Sequence, residues 1–402
     1  MKKTICVFIA MAMLILPLFS SAALQNTSAA EDMANMYHTE LVTYFESHGG
    51  YPDHYGGSYI KPVSRNLVIN VTERTPDIEA VYYEVTGAEK LEFQVVEYSL
   101  NELFAIAGKA SSHLRKSSSP LDFKAYAIIQ KNNQVEIWTD GSDITAYSSS
   151  YNINNSKEKL FFGSGLEKND LDAVVFKQAG DLMLESAAEG PGYGINKSGI
   201  DGSTEASVGY LAGRNTGGTA ETEFVTAGHF AYNGSVNGGR VIYDSSGQRI
   251  GVSTLTVGRP DNEINGTGDF DFSFIKLDNG VTMSPTVRLF GYPQDAYTQN
   301  YVPGEGSFIY KSGAATELTT GYVFSIYFNT DTDYMTGPRV KRILSTYNSR
   351  ESDSGGIVFA SGAGTAKVIG IHQGRYPVEG TVYAVTVSAY NIQNEYGIVA
   401  GY

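Results

Sequence analysis

The sequence has 402 residues and a formal net charge of −14, with no run of basic residues. This acidic balance argues against binding to nucleic acid or to an anionic membrane surface by electrostatic attraction. The only cysteine is Cys6, so the chain beyond it has neither a disulfide nor a cysteine nucleophile nor a thiolate metal site.

The N-terminus has the pattern of an export signal. Two lysines precede an apolar run over residues 5–16, and the small residues at 20–23 offer a cleavage site. The run is shorter than the roughly 20 apolar residues that span a membrane. We therefore predict a signal peptide over residues 1–23 and a secreted, extracellular protein that is not bound to a membrane.

The next part of the chain predicts a small α+β unit over about residues 30–145. Apolar residues at helical spacing predict a helix over 31–48, which two glycines end. Ser99 and Glu102 have the spacing of a capping box, which opens a second helix that ends near His113. Strands are predicted at 67–71 and 91–96, a turn-rich link at 51–57, and a hairpin at 125–129 and 135–139.

Residues 146–205 are rich in Ser, Asn, Gly, Ala and Glu, and we predict a linker that is open to proteolytic cutting. From about residue 204 the pattern changes to short strands with frequent turns. About a dozen strands and no long helix predict antiparallel barrels or a sandwich, closed by a short helix at 388–396. The clearest strands are 240–243, 249–256, 270–277, 307–311, 321–328, 340–344, 356–360, 368–372 and 382–387.

The segment S-R-E-S-D-S-G-G, residues 349–356, is typical of a serine nucleophile in a tight loop. The glycines after Ser354 let the backbone turn sharply beside a substrate. Such a loop can direct main-chain N–H groups at a developing oxyanion. Ser and Gly also occur in turns without any catalytic role, so the assignment depends on a suitable base elsewhere in the chain.

The chain has two histidines beyond the linker, His229 and His372. A serine nucleophile needs a general base that works near neutral pH. His229 follows a β-type run and small residues, which suits an imidazole at a strand end; a packed structural histidine is the alternative. Asp271 opens an otherwise apolar strand, where burying a carboxylate is costly unless it is paired. Asp269, on the same face of that strand, is the rival acid.

The order His229, Asp271, Ser354 is one of the chain orders known for a Ser-His-Asp triad. The motifs T-A-G-H, D-F-S-F-I-K and S-D-S-G-G are similar to the three signatures of the chymotrypsin-like serine proteases. Over about residues 204–402 the chain resembles their secreted bacterial branch, the streptogrisin and alpha-lytic proteases. The resemblance implies two antiparallel six-stranded barrels behind a small α+β pro-region, and a serine endopeptidase that uses no metal or cofactor.

The resemblance also assigns groups around the serine. The backbone N–H groups of Ser352 and Ser354 would form the oxyanion hole, although Ser352 replaces the glycine that is usual there. The segment Y-K-S-G-A-A-T-E-L-T-T-G, residues 310–321, is similar to a region in which a buried arginine pairs with the aspartate before the nucleophile. Here the pair would be Lys311 and Asp353, and a lysine makes a less well-forked pair than an arginine.

Specificity is inferred from V-I-G-I-H-Q-G-R, residues 368–375. Glutamyl-specific members of the resembled family have a similar G-I-H-x-G, in which the histidine binds the substrate carboxylate. His372 would therefore line the primary pocket, with Ser349 at its base and Arg375 near its mouth, and would favour glutamate at P1 through charge-assisted hydrogen bonds. A structural histidine and a glutamine-selecting pocket are the alternatives.

The resemblance implies that the pro-region assists folding and blocks the active site, and that proteins or peptides are the substrates. We predict a pro-region and linker over 24–189 and a protease domain over 190–402. If the enzyme matures itself by cutting after glutamate, Glu185 or Glu189 would be the P1 residue. The alternative function is a catalytically weak or inactive protease fold that serves as an extracellular binding module.

Overall fold

The computed structural model describes most of the chain. The described residues are 29–116, 121–140, 157–158, 160–161, 163–180, 183–184, 194–196, 205–214, 221–233, 235, 237–257, 270–284, 286–287, 301–330, 342–362 and 365–400. The predicted signal peptide, the rival acid Asp269 and the candidate cleavage residues Glu185 and Glu189 lie outside them. No helix within the described ranges is long and apolar enough to cross a membrane.

The N-terminal unit, residues 29–184, combines helices with two groups of strands. Its elements are α1 (29–47), β1 (Tyr55–Ile60), β2 (Leu67–Val71), α2 (Pro76–Thr86), β3 (Glu92–Val95), α3 (Leu100–Leu114), β4 (Phe123–Ile129), a 3-10 turn (Gln130–Asn132), β5 (Gln134–Thr139), a second 3-10 turn (Asn169–Asp172), β6 (Val174–Gln178) and β7 (Met183–Leu184). Strands β1, β2 and β3 form one small sheet, and β4, β5 and β6 are neighbours in another.

Local sequence explains where the helices of this unit begin and end. The predicted capping box is present at α3, where the Ser99 side chain accepts from the Glu102 N–H and the Glu102 side chain accepts from the Ser99 N–H. Sequence analysis missed α2, although Thr75 caps it, Pro76 occupies its first turn and Gly87 ends it with φ of 61°. Two further predictions were wrong in part. The turn-rich link at 51–57 contains the start of β1, and the predicted linker contains β6.

The C-terminal unit, residues 194–400, consists almost entirely of strands. Its elements are β8 (Gly194–Asn196), β9 (Ala206–Ser207), β10 (Leu211–Arg214), β11 (Glu221–Thr226), α4 (Gly228–Ala231), β12 (Val241–Asp244), β13 (Arg249–Val257), β14 (Phe272–Leu277), β15 (Phe308–Gly313), β16 (Glu317–Thr330), β17 (Arg342–Ser345), β18 (Ile357–Gly362), β19 (Thr365–Val378), β20 (Thr381–Ser388), α5 (Ala389–Tyr396) and β21 (Ile398–Ala400).

These strands form the two barrel-like sheets that the sequence predicted. The first has the order β21-β10-β11-β14-β13-β12-β8-β9. In the second, β15, β18, β19, β20, β17 and β16 are successive neighbours, and an additional β15–β16 pairing closes this set of six strands into a barrel. The last helix, α5, begins after Ser388, whose side chain accepts from the Asn391 N–H, and β21 then returns to the first sheet by pairing with β10.

The N-terminal unit is joined to the second barrel by main-chain pairing. Strand β4 pairs antiparallel with the end of β16, from Tyr327 opposite Ile128 to Thr330 opposite Ala125, so that β4, β5 and β6 extend the barrel sheet. Helix α1 adds side-chain contacts, because the amide oxygen of Asn35 accepts from the Gly304 N–H at 3.0 Å. Since the backbone groups of an open sheet edge need partners, this junction stabilises both units.

Candidate active site

His229 lies in the first turn after β11. That strand ends at Thr226, and the short helix α4 carries the imidazole beside the start of β14. Only glycine fits before the histidine, because a Cβ at Gly228 would clash with the carbonyl oxygen of Val257 and the backbone of Phe272. The glycine of T-A-G-H is thus explained by the close packing of three chain segments.

Asp271 holds this histidine with both carboxylate oxygens. Its Oδ1 accepts from the His229 backbone N–H at 2.7 Å, and its Oδ2 lies 2.6 Å from His229 Nδ1. Burial acts to raise the pKa of Asp271, but the charge of His229 and these hydrogen bonds outweigh burial, so the pKa is lowered from its ordinary value. The carboxyl group is therefore ionised and orients the ring.

Ser354 lies between β17 and β18, with its Oγ 2.9 Å from His229 Nε2 and 2.9 Å from the Gln373 carbonyl oxygen. The hydroxyl has one hydrogen, so it donates to one of these acceptors at a time. Gly355, with φ of 85°, donates its N–H to the His372 carbonyl at 2.8 Å. The structure thus brings the candidate nucleophile, base and acid into one continuous line, although Ser354 and His229 are 125 residues apart in the chain.

The backbone before Ser354 is held in an unusual conformation. Ser352 has φ of 73°, in the left-handed region that favours glycine. Its carbonyl oxygen accepts from Ser207 Oγ at 2.6 Å, and Ser207 Oγ accepts from the Ala314 N–H at 2.8 Å. Ser352 therefore adopts the backbone conformation that a glycine would take more easily, and its peptide is fixed by β9.

Asp353 and Lys311 form a fully buried ion pair, with Lys311 Nζ 2.8 Å from Asp353 Oδ2. Thr316 donates to the same carboxylate from its side chain at 2.6 Å and from its backbone at 3.0 Å. Burial acts to raise the pKa of Asp353, but the Lys311 ammonium and the Thr316 hydrogen bonds lower it from its ordinary value. This pair ties the serine loop to β15.

The predicted specificity residues lie on β19 and on the segment before Ser354. His372 is fully buried, its Nδ1 lies 2.9 Å from the Tyr347 hydroxyl, and that hydroxyl lies 2.9 Å from Thr386 Oγ1. Ser349 is buried two residues beyond Tyr347, and Arg375 is half-buried three residues beyond His372. Sequence analysis missed Tyr347 and Thr386, because no motif marks residues that meet only after the strands pair.

The N-terminal unit reaches this site through its last described strand. Strand β7 pairs antiparallel with β19, with Leu184 opposite Gly374 and Met183 opposite Arg375. This pairing begins one residue beyond Gln373, whose carbonyl oxygen contacts Ser354. The main chain of residues 183–184 therefore runs along the strand that carries His372.

The sequence analysis assigned no metal ligand among the candidate catalytic residues. Among the residues for which the structure gives positions, no three His, Cys, Asp or Glu side chains cluster closely enough to hold a metal ion.

Two family models match separate parts of the chain. Residues 201–394 match the family model described as Trypsin, and residues 22–96 match one described as a Pro-like N-terminal domain. Glutamyl endopeptidase 2 of Streptomyces griseus is 33% identical over 160 residues, which cover 39% of this chain and 74% of that protein.

Solved structures include similar chains. One is a glutamic-acid-specific serine protease with a histidine triad in substrate binding, at 25% identity and a TM-score of 0.36, which covers 52% of this chain and 97% of its own. Another is the chymotrypsin of Cellulomonas bogoriensis, at 19% identity and a TM-score of 0.35, which covers 53% of this chain and 97% of its own.

Proposed function

The chain belongs to the trypsin family of chymotrypsin-like serine endopeptidases, and from this premise we propose that it is a secreted zymogen that cleaves peptide bonds after glutamate. Ser354 is the nucleophile, His229 the general acid and base, and Asp271 the group that orients and stabilises the imidazolium. The observation that carries this proposal is the line of contacts from Asp271 Oδ2 through His229 to Ser354 Oγ.

The proposed reaction follows from these contacts. His229 Nε2 takes the hydroxyl proton as Ser354 Oγ attacks the scissile carbonyl carbon, and the imidazolium then gives that proton to the leaving amine. Water hydrolyses the acyl-enzyme with His229 as the base once more. The lowered pKa of Asp271 supports this scheme, because an ionised carboxylate stabilises the imidazolium at each step.

The oxyanion of the tetrahedral intermediate is proposed to bind the backbone N–H groups of Ser352 and Ser354. The left-handed conformation of Ser352 and the hydrogen bond from Ser207 to its carbonyl oxygen support this assignment, since both fix the loop before the reaction begins. A preorganised loop avoids reorganisation while negative charge develops.

Glutamate at P1 is proposed to bind His372, with Ser349 at the base of the pocket and Arg375 near its mouth. Two observations support this preference. The relative from Streptomyces griseus is named a glutamyl endopeptidase, and His372 directly precedes Gln373 in β19, whose carbonyl oxygen lies 2.9 Å from Ser354 Oγ. A hydrogen bond from an imidazole to the carboxylate of glutamate is charge-assisted and therefore stronger than one to the neutral amide of glutamine. Glutamate is thus favoured over glutamine at P1.

We further propose that the pro-region inhibits the enzyme and assists its folding. A role in folding is supported by β4 of the pro-region, which extends the sheet of the second barrel and can act as a template for it. A role in inhibition is supported by β7 of the pro-region, whose main chain pairs with β19, the strand next to Ser354. Glu185 directly follows Leu184 in the sequence. This register favours cleavage after Glu185 over cleavage after Glu189. We therefore propose that the mature chain starts at Ser186 rather than at residue 190.

The maturation site is tested with the secreted wild type and the matched variants Glu185→Gln and Glu189→Gln. N-terminal sequencing of the mature wild type is expected to begin at Ser186. The Glu185→Gln zymogen should accumulate uncut, whereas the Glu189→Gln zymogen should mature as the wild type does. Maturation after an apolar or basic residue would contradict self-processing by a glutamate-specific enzyme.

Activity itself is tested by labelling with a fluorophosphonate and by cleavage of a peptide library. The mature enzyme should be labelled and should cut after glutamate, and Ser354→Ala should do neither. An enzyme that is labelled but cuts mainly after other residues would leave the family assignment standing and refute the P1 proposal. The alternative of an inactive binding module is not favoured, because the family model and the curated relative are both those of proteases.

A further inference from the structure

We infer that Tyr347 and Thr386 are positioning residues for P1 recognition, which hold the imidazole of His372 through two hydroxyl groups in series. This inference rests on the proposed preference for glutamate. The Tyr347 hydroxyl lies 2.9 Å from His372 Nδ1 and 2.9 Å from Thr386 Oγ1. All three side chains are buried, with at most 2% of each residue exposed.

The backbone of His372 is already fixed relative to the nucleophile. Its N–H donates to the Gly356 carbonyl at 2.8 Å, and its carbonyl accepts from the Gly355 N–H at 2.8 Å. Thr386 lies directly opposite His372 in the pairing of β19 with β20. With the main chain held in this way, the imidazole can still rotate, and the hydrogen bond between Nδ1 and the Tyr347 hydroxyl restrains that rotation.

Tyr347 is itself held by close packing against β16. A Cβ at Gly321 would clash with the backbone nitrogen of Tyr347. The glycine at the end of T-T-G, residues 319–321, therefore allows β16 to approach Tyr347 this closely. The Thr346 N–H also donates to the Tyr322 carbonyl at 3.0 Å. The Tyr347 ring meets the His372 ring edge to face, with centroids 5.5 Å apart and an interplanar angle of 67°.

A hydroxyl partner suits a histidine that binds an anion. A phenol oxygen can donate to a neutral Nδ1 or accept from a protonated one, and Thr386 can exchange the complementary hydrogen bond with it. Both charge states of the ring are thereby satisfied in a buried place, where an unpaired polar group would be costly. In either state the other ring nitrogen, Nε2, can donate to a substrate carboxylate, and the group that contacts Nδ1 is a hydroxyl rather than a carboxylate.

The test compares Tyr347→Phe with the wild type on two peptides that differ only in Glu or Gln at P1. Active enzyme is counted by fluorophosphonate titration. For the glutamate peptide, kcat/KM is expected to fall about tenfold, as for the loss of one hydrogen bond to a charged group. The fall should appear mainly in KM, and kcat/KM for the glutamine peptide should change little.

Tyr210→Phe is the matched control. Tyr210 is buried, and its hydroxyl has no hydrogen-bond partner among the described residues. Removing it should leave the ratio of the two kcat/KM values unchanged. If Tyr347→Phe does not fold, Thr386→Val is expected to lower the ratio by a smaller factor and Thr386→Ser to restore it.

The possible outcomes separate this inference from the proposed function. A wild type without preference for glutamate over glutamine would refute the P1 proposal and this inference together. A wild type with that preference and a Tyr347→Phe variant that retains it in full would overturn only this inference. An equal loss on both peptides would also overturn it, because a distorted site does not select between them.

Discussion

The two histidines of the protease unit differ in what lies behind them. His229 Nδ1 lies 2.6 Å from the carboxylate of Asp271, whereas His372 Nδ1 lies 2.9 Å from the hydroxyl of Tyr347. A carboxylate favours the imidazolium and offsets its charge, which suits a ring that must take a proton and return it. A hydroxyl holds the ring without bringing a negative charge to it, which suits the proposed binding of a substrate carboxylate by His372.

Two buried carboxyl groups show the same contrast. Asp353 has a charged partner, Lys311, and its pKa is lowered despite burial. Glu305 accepts from neutral groups, among them the backbone N–H groups of Gln130 and Lys131 at 3.0 and 3.1 Å, and burial raises its pKa to about 8. The nature of the partner, rather than burial alone, thus determines the charge of each group at neutral pH.

The largest effect is expected where the charged partner of His229 is removed. Asp271→Asn keeps the size of the side chain but favours the wrong imidazole tautomer, so kcat should fall by about four orders of magnitude. Single-turnover kinetics with a glutamate peptide measures the change. Asp269→Asn is the control for the rival acid, and a comparable loss in that variant would contradict the assignment of Asp271.

The next effect concerns the buried ion pair of the serine loop. Lys311→Met leaves Asp353 buried without its counter-charge, so the free energy of unfolding should fall by about 3–5 kcal/mol. Denaturant unfolding of the Ser354→Ala zymogen measures this without self-digestion. Adding Asp353→Asn should recover part of the loss, and a double variant no more stable than Lys311→Met alone would show that the charge is not the cause.

A smaller effect is expected in the pocket. His372→Ala removes the imidazole proposed to bind the P1 carboxylate, so kcat/KM for a glutamate peptide should fall about a hundredfold relative to its glutamine counterpart. Steady-state kinetics on the two peptides gives the ratio. Labelling by a fluorophosphonate should persist, because the nucleophile and its base are untouched. A retained ratio would assign His372 a purely structural role.

The last effect is a pH dependence that comes from Glu305. Its pKa in the folded full-length protein, about 8, is above the ordinary value of 4.5. The stabilising contribution is therefore complete below 4.5 and is lost as the pH rises through about 8. In the Ser354→Ala zymogen, Tm should fall between pH 5 and pH 8.5 more steeply with Glu305 than with Glu305→Gln. Parallel curves for the two proteins would exclude this carboxyl as the source.

Much of the fold could be predicted from local sequence. Ser99 and Glu102 predict the start of α3, because a capping box depends only on two residues that are three positions apart. The period of apolar residues distinguishes the strands of the C-terminal unit from the helices before it. The miss of α2 was avoidable, since Thr75, Pro76 and Gly87 mark both of its ends. The pairing of β4 with β16 was not foreseeable, because its residues lie about two hundred positions apart.

Local motifs were enough to predict the candidate triad, because His229, Asp271 and Ser354 each lie in a short segment of small or apolar neighbours. The hydroxyl groups next to His372, and the strand by which the N-terminal unit approaches Ser354, became visible only once the chain was folded. Tyr347 and Thr386 are 39 residues apart and meet through strand pairing. Such contacts depend on the packing of whole sheets, which no short stretch of sequence encodes.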